Sequence, residues 1–217
     1  MTSEDLKKTE KSRVVRAPTR GSYDRETTYG ILDSTPLCHV SYIIDGQPFV
    51  TPTFQWREGE RIFWHGSSAS RMIRKCEGQP VCLAVTRLDG FVLARSAFHH
   101  SVNYRSVMLF GTPTKVEGRE KELSLENFIE GLFPGRWETL RPMNEMEIKA
   151  TTVLAMPIDE GSSKIRTGPP VDDEEDYALP IWSGVIPVHP AVRPPVPDPK
   201  NLDNLDIPGH VTGFKLD

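Results

Sequence analysis

Cysteine is scarce in this sequence: Cys38, Cys76 and Cys82 form no CxxC pair and no other metal-ligand spacing. That disfavours a zinc ribbon or a dithiol redox centre, so no metal site is expected. An odd count of thiols suits a reducing cytoplasm, and the chain is expected to be cytoplasmic. GxGxxG, GxSxG and HExxH are all missing, which argues against a Rossmann site, a serine-hydrolase elbow and a zinc protease. No apolar run approaches the roughly 20 residues of a membrane span, and no membrane role is expected. Nor is there a basic excess: 26 Lys and Arg stand against 30 Asp and Glu, so nucleic acid is not the expected partner. The first twenty residues lack an apolar core and do not read as a secretory signal. Residues 1–22 read as a flexible N-terminal arm.

What is present is a succession of strand patterns. Glu26 to Ser34 reads as a short helix stopped by Pro36. "LCHVSYIIDGQPFVTPTFQW" holds two strands around Asp45-Gly46, a hairpin signal. "REGE" turns the chain into "RIFWHG". "SSASRMIRKCEG" then predicts a helix of about three turns ending near Gly78. "QPVCLAVTRLDGFVLARSAF" reads as a second hairpin turning at Asp89-Gly90, and "NYRSVMLFGTPTKVE" as a long strand bent at Gly111 and Pro113. Leu123, Leu125, Phe128, Ile129 and Leu132 recur at helical spacing, and "ATTVLAMPID" adds a strand. Hairpin-connected strands with few helices predict a mainly β fold, an antiparallel barrel with helices at its ends.

The composition changes after Gly168. Ten of the 19 prolines fall between Pro169 and Pro208, and Asp172 to Asp176 are five consecutive acids. Extended chain is expected here, yet "YALPIWSGVIPV" is apolar enough to need a surface. Residues 161–217 therefore read as a proline-rich extension that packs on the barrel or on a partner subunit.

One stretch combines small hydroxyls with cations. In "IFWHGSSASRMIRK" a strand runs into a helix through Ser67, Ser68 and Ser70, followed by Arg71. Free backbone N–H groups, hydroxyls and a planar guanidinium suit a phosphate; a serine cap on an ordinary helix suits the same residues. His99-His100 is a poor metal pair, because neighbours on a strand point to opposite faces. Tyr104 and Ser106 share one strand face.

Taken in order, "FVTPTFQWREGERIFWHGSSASRMIRKC", "LARSAFHHSVNYRSVMLFG" and "PIWSGVIPV" resemble the pyridoxamine 5′-phosphate oxidase-related flavin-nucleotide-binding proteins, including the nitroimidazole-resistance type. The resemblance spans about Glu26 to Val188. It implies a split β-barrel over residues 23–160 and a homodimer with FMN at the interface. It also implies an oxidoreductase acting on a small-molecule substrate. It places the FMN phosphate at Ser70 and Arg71, next to Met72, with His65, Gly66 and Ser67 along the ribityl chain and ring edge. Pro52 and Thr53 would lie along the ring, Tyr104 and Ser106 would approach from the barrel, and Trp182 from the C-terminal segment. Where the oxidases carry a basic residue after the arginine, Met72 stands here, and their C-terminal arginine pattern is missing. No acid or base is marked by the pattern; His65 is the candidate. Two further readings use the same barrel: a flavin-binding sensor without turnover, and a haem-binding protein ligating iron through His39, His99 or His100.

Overall fold

The computed structural model describes residues 5–216. Three strands follow one another as a meander: β2 (Leu37–Ile44), β3 (Gln47–Glu58) and β4 (Arg61–Ser67). The turns between them match their sequence signals, with positive φ at Asp45, Gly46 and Gly59. Before them come β1 (Gly21–Ser22) and α1 (Arg25–Asp33). Asp24 caps α1 by accepting a hydrogen bond from the Thr27 N–H at 2.7 Å.

After β4 come α2 (Arg71–Cys76), β5 (Val81–Leu93), β6 (Ser101–Gly111), β7 (Thr114–Val116), α3 (Gly118–Leu132), α4 (Glu145–Ala150), β8 (Thr151–Pro157) and β9 (Glu160–Arg166). The strands are joined in the order β1-β9-β6-β5-β2-β3-β4-β8-β7, every pairing antiparallel, and the order does not close on itself. This is a split barrel. β3 belongs to both halves: its start pairs with β2 and its end with β4.

Inward-facing residues of the two halves meet in one core. Val40, Leu83, Val85, Val107 and Leu109 come from one half, and Ile62, Trp64, Leu154 and Met156 from the other. Ile31 and Leu32 of α1 and Ile73 and Cys76 of α2 close its ends. On the far side of β4 and β8, Leu125 of α3 covers Phe63, Val153 and Ala155.

Three sequence expectations change. Asp89-Gly90 is not a hairpin turn; β5 runs through it with a bulge between Leu88 and Gly90. The strand continues because β10 (Gly184–Pro187) pairs with it, and a Cβ on Gly90 would lie 2.9 Å from the Ile186 carbonyl oxygen. Asp89 is engaged there by a two-pronged pair with Arg105. Second, α2 is six residues long, not three turns, because Gly78 leaves the helix at φ +69°. Third, residues 5–22 lie on the barrel. Leu6 is buried and its N–H donates to the Tyr23 carbonyl, while Thr9 and Lys11 bond Glu160 of β9.

Beyond β10 the chain is extended and exposed through its prolines until α5 (Gly209–Thr212), after which Phe214 packs on Phe133 at 4.9 Å. No helix among the described residues is long and apolar enough to cross a membrane.

Candidate functional site

α2 is held against β4 by a close approach. A Cβ on Gly66 would come 2.9 Å from Ile73 Cγ1, so the glycine lets the helix sit directly on the strand. The helix thereby presents Ser70 as its N-cap and Arg71 as its first residue. The Ser70 side chain makes no capping hydrogen bond, and no acid stands in the first turn. The Arg71 guanidinium lies 4.8 Å from the centre of the Phe49 ring on β3. It forms no ion pair among the described residues. Phe49 in turn stacks on Tyr42 at 5.8 Å. An exposed cation steadied by an aromatic stack, without an anion, beside the exposed Ser67 and Ser68, is a donor set that lacks its acceptor. Phe49 had no motif to mark it; only the register of β2 on β3 brings it under Arg71.

His65 faces the other way. Its ring lies 5.2 Å from Phe128 and 5.9 Å from Trp56, and Trp56 lies 4.8 Å from Phe128. Nδ1 of His65 is buried without a hydrogen-bond partner. Burial among these rings pushes its pKa below the ordinary 6.5, so the imidazole stays neutral. On the Trp56 and Phe128 side lies a cavity of about 370 Å³, bounded also by Gln55, Asn127 and Phe214. Met72 points away from Arg71 into the barrel core.

The remaining predicted residues are spread over the outward sheet face. Pro52, His39, Ala84 and Met108 form one row across β3, β2, β5 and β6. Thr53, opposite Cys38, alternates to the inner side. Around the row the face is apolar and open: Ile43 is 62%, Val50 61% and Phe54 50% exposed. Tyr104 and Ser106 share this face, opposite Leu88 and Thr86. Three strand spacings separate them from β3, roughly 14 Å, so one protomer does not bring them to Arg71. Trp182, 68% exposed, lies against Gly184 beside β10 at the opposite end of β5 from α2. Ser70, Arg71 and Ser67 are thus assembled locally, while Tyr104, Ser106 and Trp182 are not.

The histidine pair sits in the turn between β5 and β6. Arg95 donates to the buried Asp172 from its backbone and its guanidinium, at 2.9 and 3.0 Å, and His99 Nε2 lies 3.4 Å from Asp173. His100 Nδ1 is 2.9 Å from the Ser96 carbonyl oxygen. The five-acid run is therefore partly a clamp on this turn. The three thiols take no part: burial raises all of them, Cys38 and Cys76 to about 12. No group of three or more His, Cys, Asp or Glu among the described residues is arranged to hold a metal ion.

Comparison with known proteins agrees with this architecture. The chain shares 50% identity with the flavocytochrome Anf3 of Azotobacter vinelandii, covering 96% of this chain and 98% of that one, with a TM-score of 0.93. It shares 35% identity with an FAD- and haem-binding protein of Mycobacterium smegmatis, covering 90% and 97%, with a TM-score of 0.87. A Bacteroides thetaiotaomicron protein described as a candidate for 5-nitroimidazole antibiotic resistance shares the fold at 18% identity and a TM-score of 0.56, over 67% of this chain and 86% of that one. No curated protein matches. Residues 24–165 match the family described as pyridoxamine 5′-phosphate oxidase; with two thirds of its length in that match, and a split barrel throughout, the chain belongs to that family.

Proposed function

We propose that this chain is a redox protein that holds both a flavin nucleotide and a haem. The observation that carries this reading is the 50% identity, over nearly the whole of both chains, with a flavocytochrome. The 35% likeness to a protein described as binding FAD and haem supports it, and favours FAD over the FMN that the family resemblance implied. A bound flavin supplies hydride or electron uptake at its ring, and a haem one-electron exchange at iron.

The chain's own residues fit such a ligand. Arg71 carries a guanidinium without an anion, held in place by Phe49, and receives the phosphate end. Ser67, Ser68 and Ser70 offer hydroxyls beside it. Val50, Pro52 and Phe54 give an apolar floor on the outward face of β3, the face opposite Phe49, which excludes water from a planar ring. His65, neutral and enclosed, lines the neighbouring aromatic wall.

A second copy of the chain covers the open sheet face. Ile43, Val50, Phe54, Leu37 and Met108 make it too apolar to stay in water, and burying it in a homodimer also offers Tyr104, Ser106 or Trp182 of one protomer to the site of the other. Oxidoreductase activity on a small molecule follows from the same reading, as does a cytoplasmic setting that keeps the three free cysteines reduced.

The visible spectrum of the purified protein tests this directly. Flavin bands near those of oxidised flavoproteins, together with a Soret band, are expected, and acid extraction should release FAD. A colourless protein that takes up neither added flavin nor added haemin overturns the proposal.

A further inference from the structure

We propose that the cavity of about 370 Å³ bounded by α1, β3, α3 and the C-terminal segment binds a neutral, flat aromatic molecule, and that residues 209–216 are its lid. This goes beyond the redox reading and does not rest on it. The chain builds the cavity from its own residues, and neither Arg71 nor the β5–β6 turn lines it.

Charge decides the class of ligand. On the lining, the Arg57 guanidinium holds both oxygens of Asp33. Glu58 accepts from the Trp56 indole N–H at 2.8 Å and from the Asn127 amide at 3.0 Å. The Gln55 amide donates to the Leu32 and Thr35 carbonyls at 2.7 and 2.6 Å. Lys215, on the lid, is exposed to water. A charged ligand would be desolvated among groups that already have their partners, which is unfavourable. The walls instead offer rings: Trp56 and Phe128 lie 4.8 Å apart, with Leu32, Leu132 and Phe214 beside them. An uncharged ring packs on such faces, and the volume is at the lower end of the roughly 300–1,000 Å³ of small-molecule sites.

The lid follows from how the segment is held. Its backbone hydrogen bonds stay within residues 208–214: Val211 and Thr212 donate to the Pro208 carbonyl, Gly213 to Gly209 and Phe214 to Val211. Among the described residues no hydrogen bond or ion pair ties residues 209–216 to the barrel. The last such tie before them is the Val188 N–H to the Asp89 carbonyl at 3.1 Å. Packing of Phe214 on Phe133 at 4.9 Å, with His210 near Glu130, holds the segment down. Residues 189–207 form an exposed tether. At roughly 3.1 Å per residue of proline-rich chain, it is long enough for the segment to lift while β10 stays paired. Apolar packing without hydrogen bonds is the kind of contact that opens locally at small cost.

The test titrates the full chain with two neutral probes, indole and 2-naphthol, and with two charged counterparts, tryptamine and 2-naphthoate, read by calorimetry and ligand-observed magnetic resonance. A neutral probe is expected to bind once per chain, and its charged counterpart roughly tenfold more weakly or less still. Gly131 lines the cavity, and a Cβ there meets nothing within 4 Å. Gly131→Phe is therefore expected to place a tethered ring in the cavity and abolish binding, with far-ultraviolet circular dichroism unchanged. Phe214→Ala is expected to release the probe roughly tenfold faster in stopped-flow measurements, because the lid is unpinned. If neither neutral probe binds up to millimolar concentration, or Gly131→Phe binds as wild type does, the site is overturned. Equal affinity for 2-naphthoate or tryptamine overturns the neutral class, and an unchanged release rate in Phe214→Ala overturns the lid.

Discussion

Arg71 and His65 stand six residues apart and meet opposite physical conditions. Arg71 is exposed, stacked on Phe49 and without an anion, so its charge is available to a ligand. Removing it should weaken flavin binding roughly 10- to 100-fold, the effect of losing a charge-assisted hydrogen bond; fluorescence titration of Arg71→Ala with FAD measures this, and wild-type affinity would remove Arg71 from the site. His65 is enclosed, and its folded pKa lies below the unfolded value near 6.5. As pH falls through 6.5 the unfolded chain gains a proton that the folded chain refuses. Stability is therefore lost between pH 6.5 and the lower folded pKa, and levels off beneath it. Denaturant titrations across pH 7 to 5 should show this slope in the wild type and a shallower one in His65→Phe. The thiols give a third expectation. With Cys38 and Cys76 raised to about 12 by burial, a thiolate-selective reagent at pH 8 should leave both unmodified until the protein is unfolded.

At the scale of elements, two glycines decide where segments dock. Gly66 allows α2 onto β4, and Gly90 allows β10 onto β5. Gly90→Val puts its branched side chain where the Ile186 carbonyl lies, so β10 should detach. Limited proteolysis should then cut between residues 168 and 190 much faster than in wild type, with the barrel left intact; an unchanged digestion pattern would show that β10 does not depend on this approach. The same glycine explains why Asp89-Gly90, a strong hairpin signal, is a bulge instead. Local turn chemistry was satisfied by a bulge because a third strand, which pairs Pro187 with Gly90, supplied pairing on the open edge of β5. The Asp45-Gly46 turn had no such competitor and formed as its signal implied.

For the whole molecule, the outward face of β3, β2, β5 and β6 is the feature a single protomer leaves incomplete. Its alternation is that of a half-buried sheet, yet Ile43 and Val50 are more than half exposed, and Phe54 stays 50% exposed although its ring lies 6.0 Å from Phe128. Analytical ultracentrifugation should give a dimer, and Val50→Lys combined with Ile43→Asp should shift it to monomer and lower flavin retention together. A monomeric wild type that still binds flavin at full strength would show that the second copy is unnecessary. The core itself should tolerate little change: Leu83 and Leu109 are fully buried between the barrel halves, and Leu83→Ala should cost about 2–5 kcal/mol in urea unfolding.

The sequence by itself determined the period-2 strands, the Asp45-Gly46 and Gly59 turns, the α1 and α3 helices and the cluster from Ser67 to Arg71. Each rests on neighbours within a few residues, where pattern and turn chemistry act directly. Residues drawn from distant segments were decided only by tertiary structure: Phe49 under Arg71, Trp56 and Phe128 around His65, and Asp172 and Asp173 on the turn of His100. β9 and β10 escaped sequence reading for the same reason, since "EGSSKIR" and "GVIP" carry weak patterns and become strands by pairing with β6 and β5. Burial among rings from β3 and α3 keeps His65 neutral while Arg71 stays exposed on Phe49, and that difference has no trace in their local sequence.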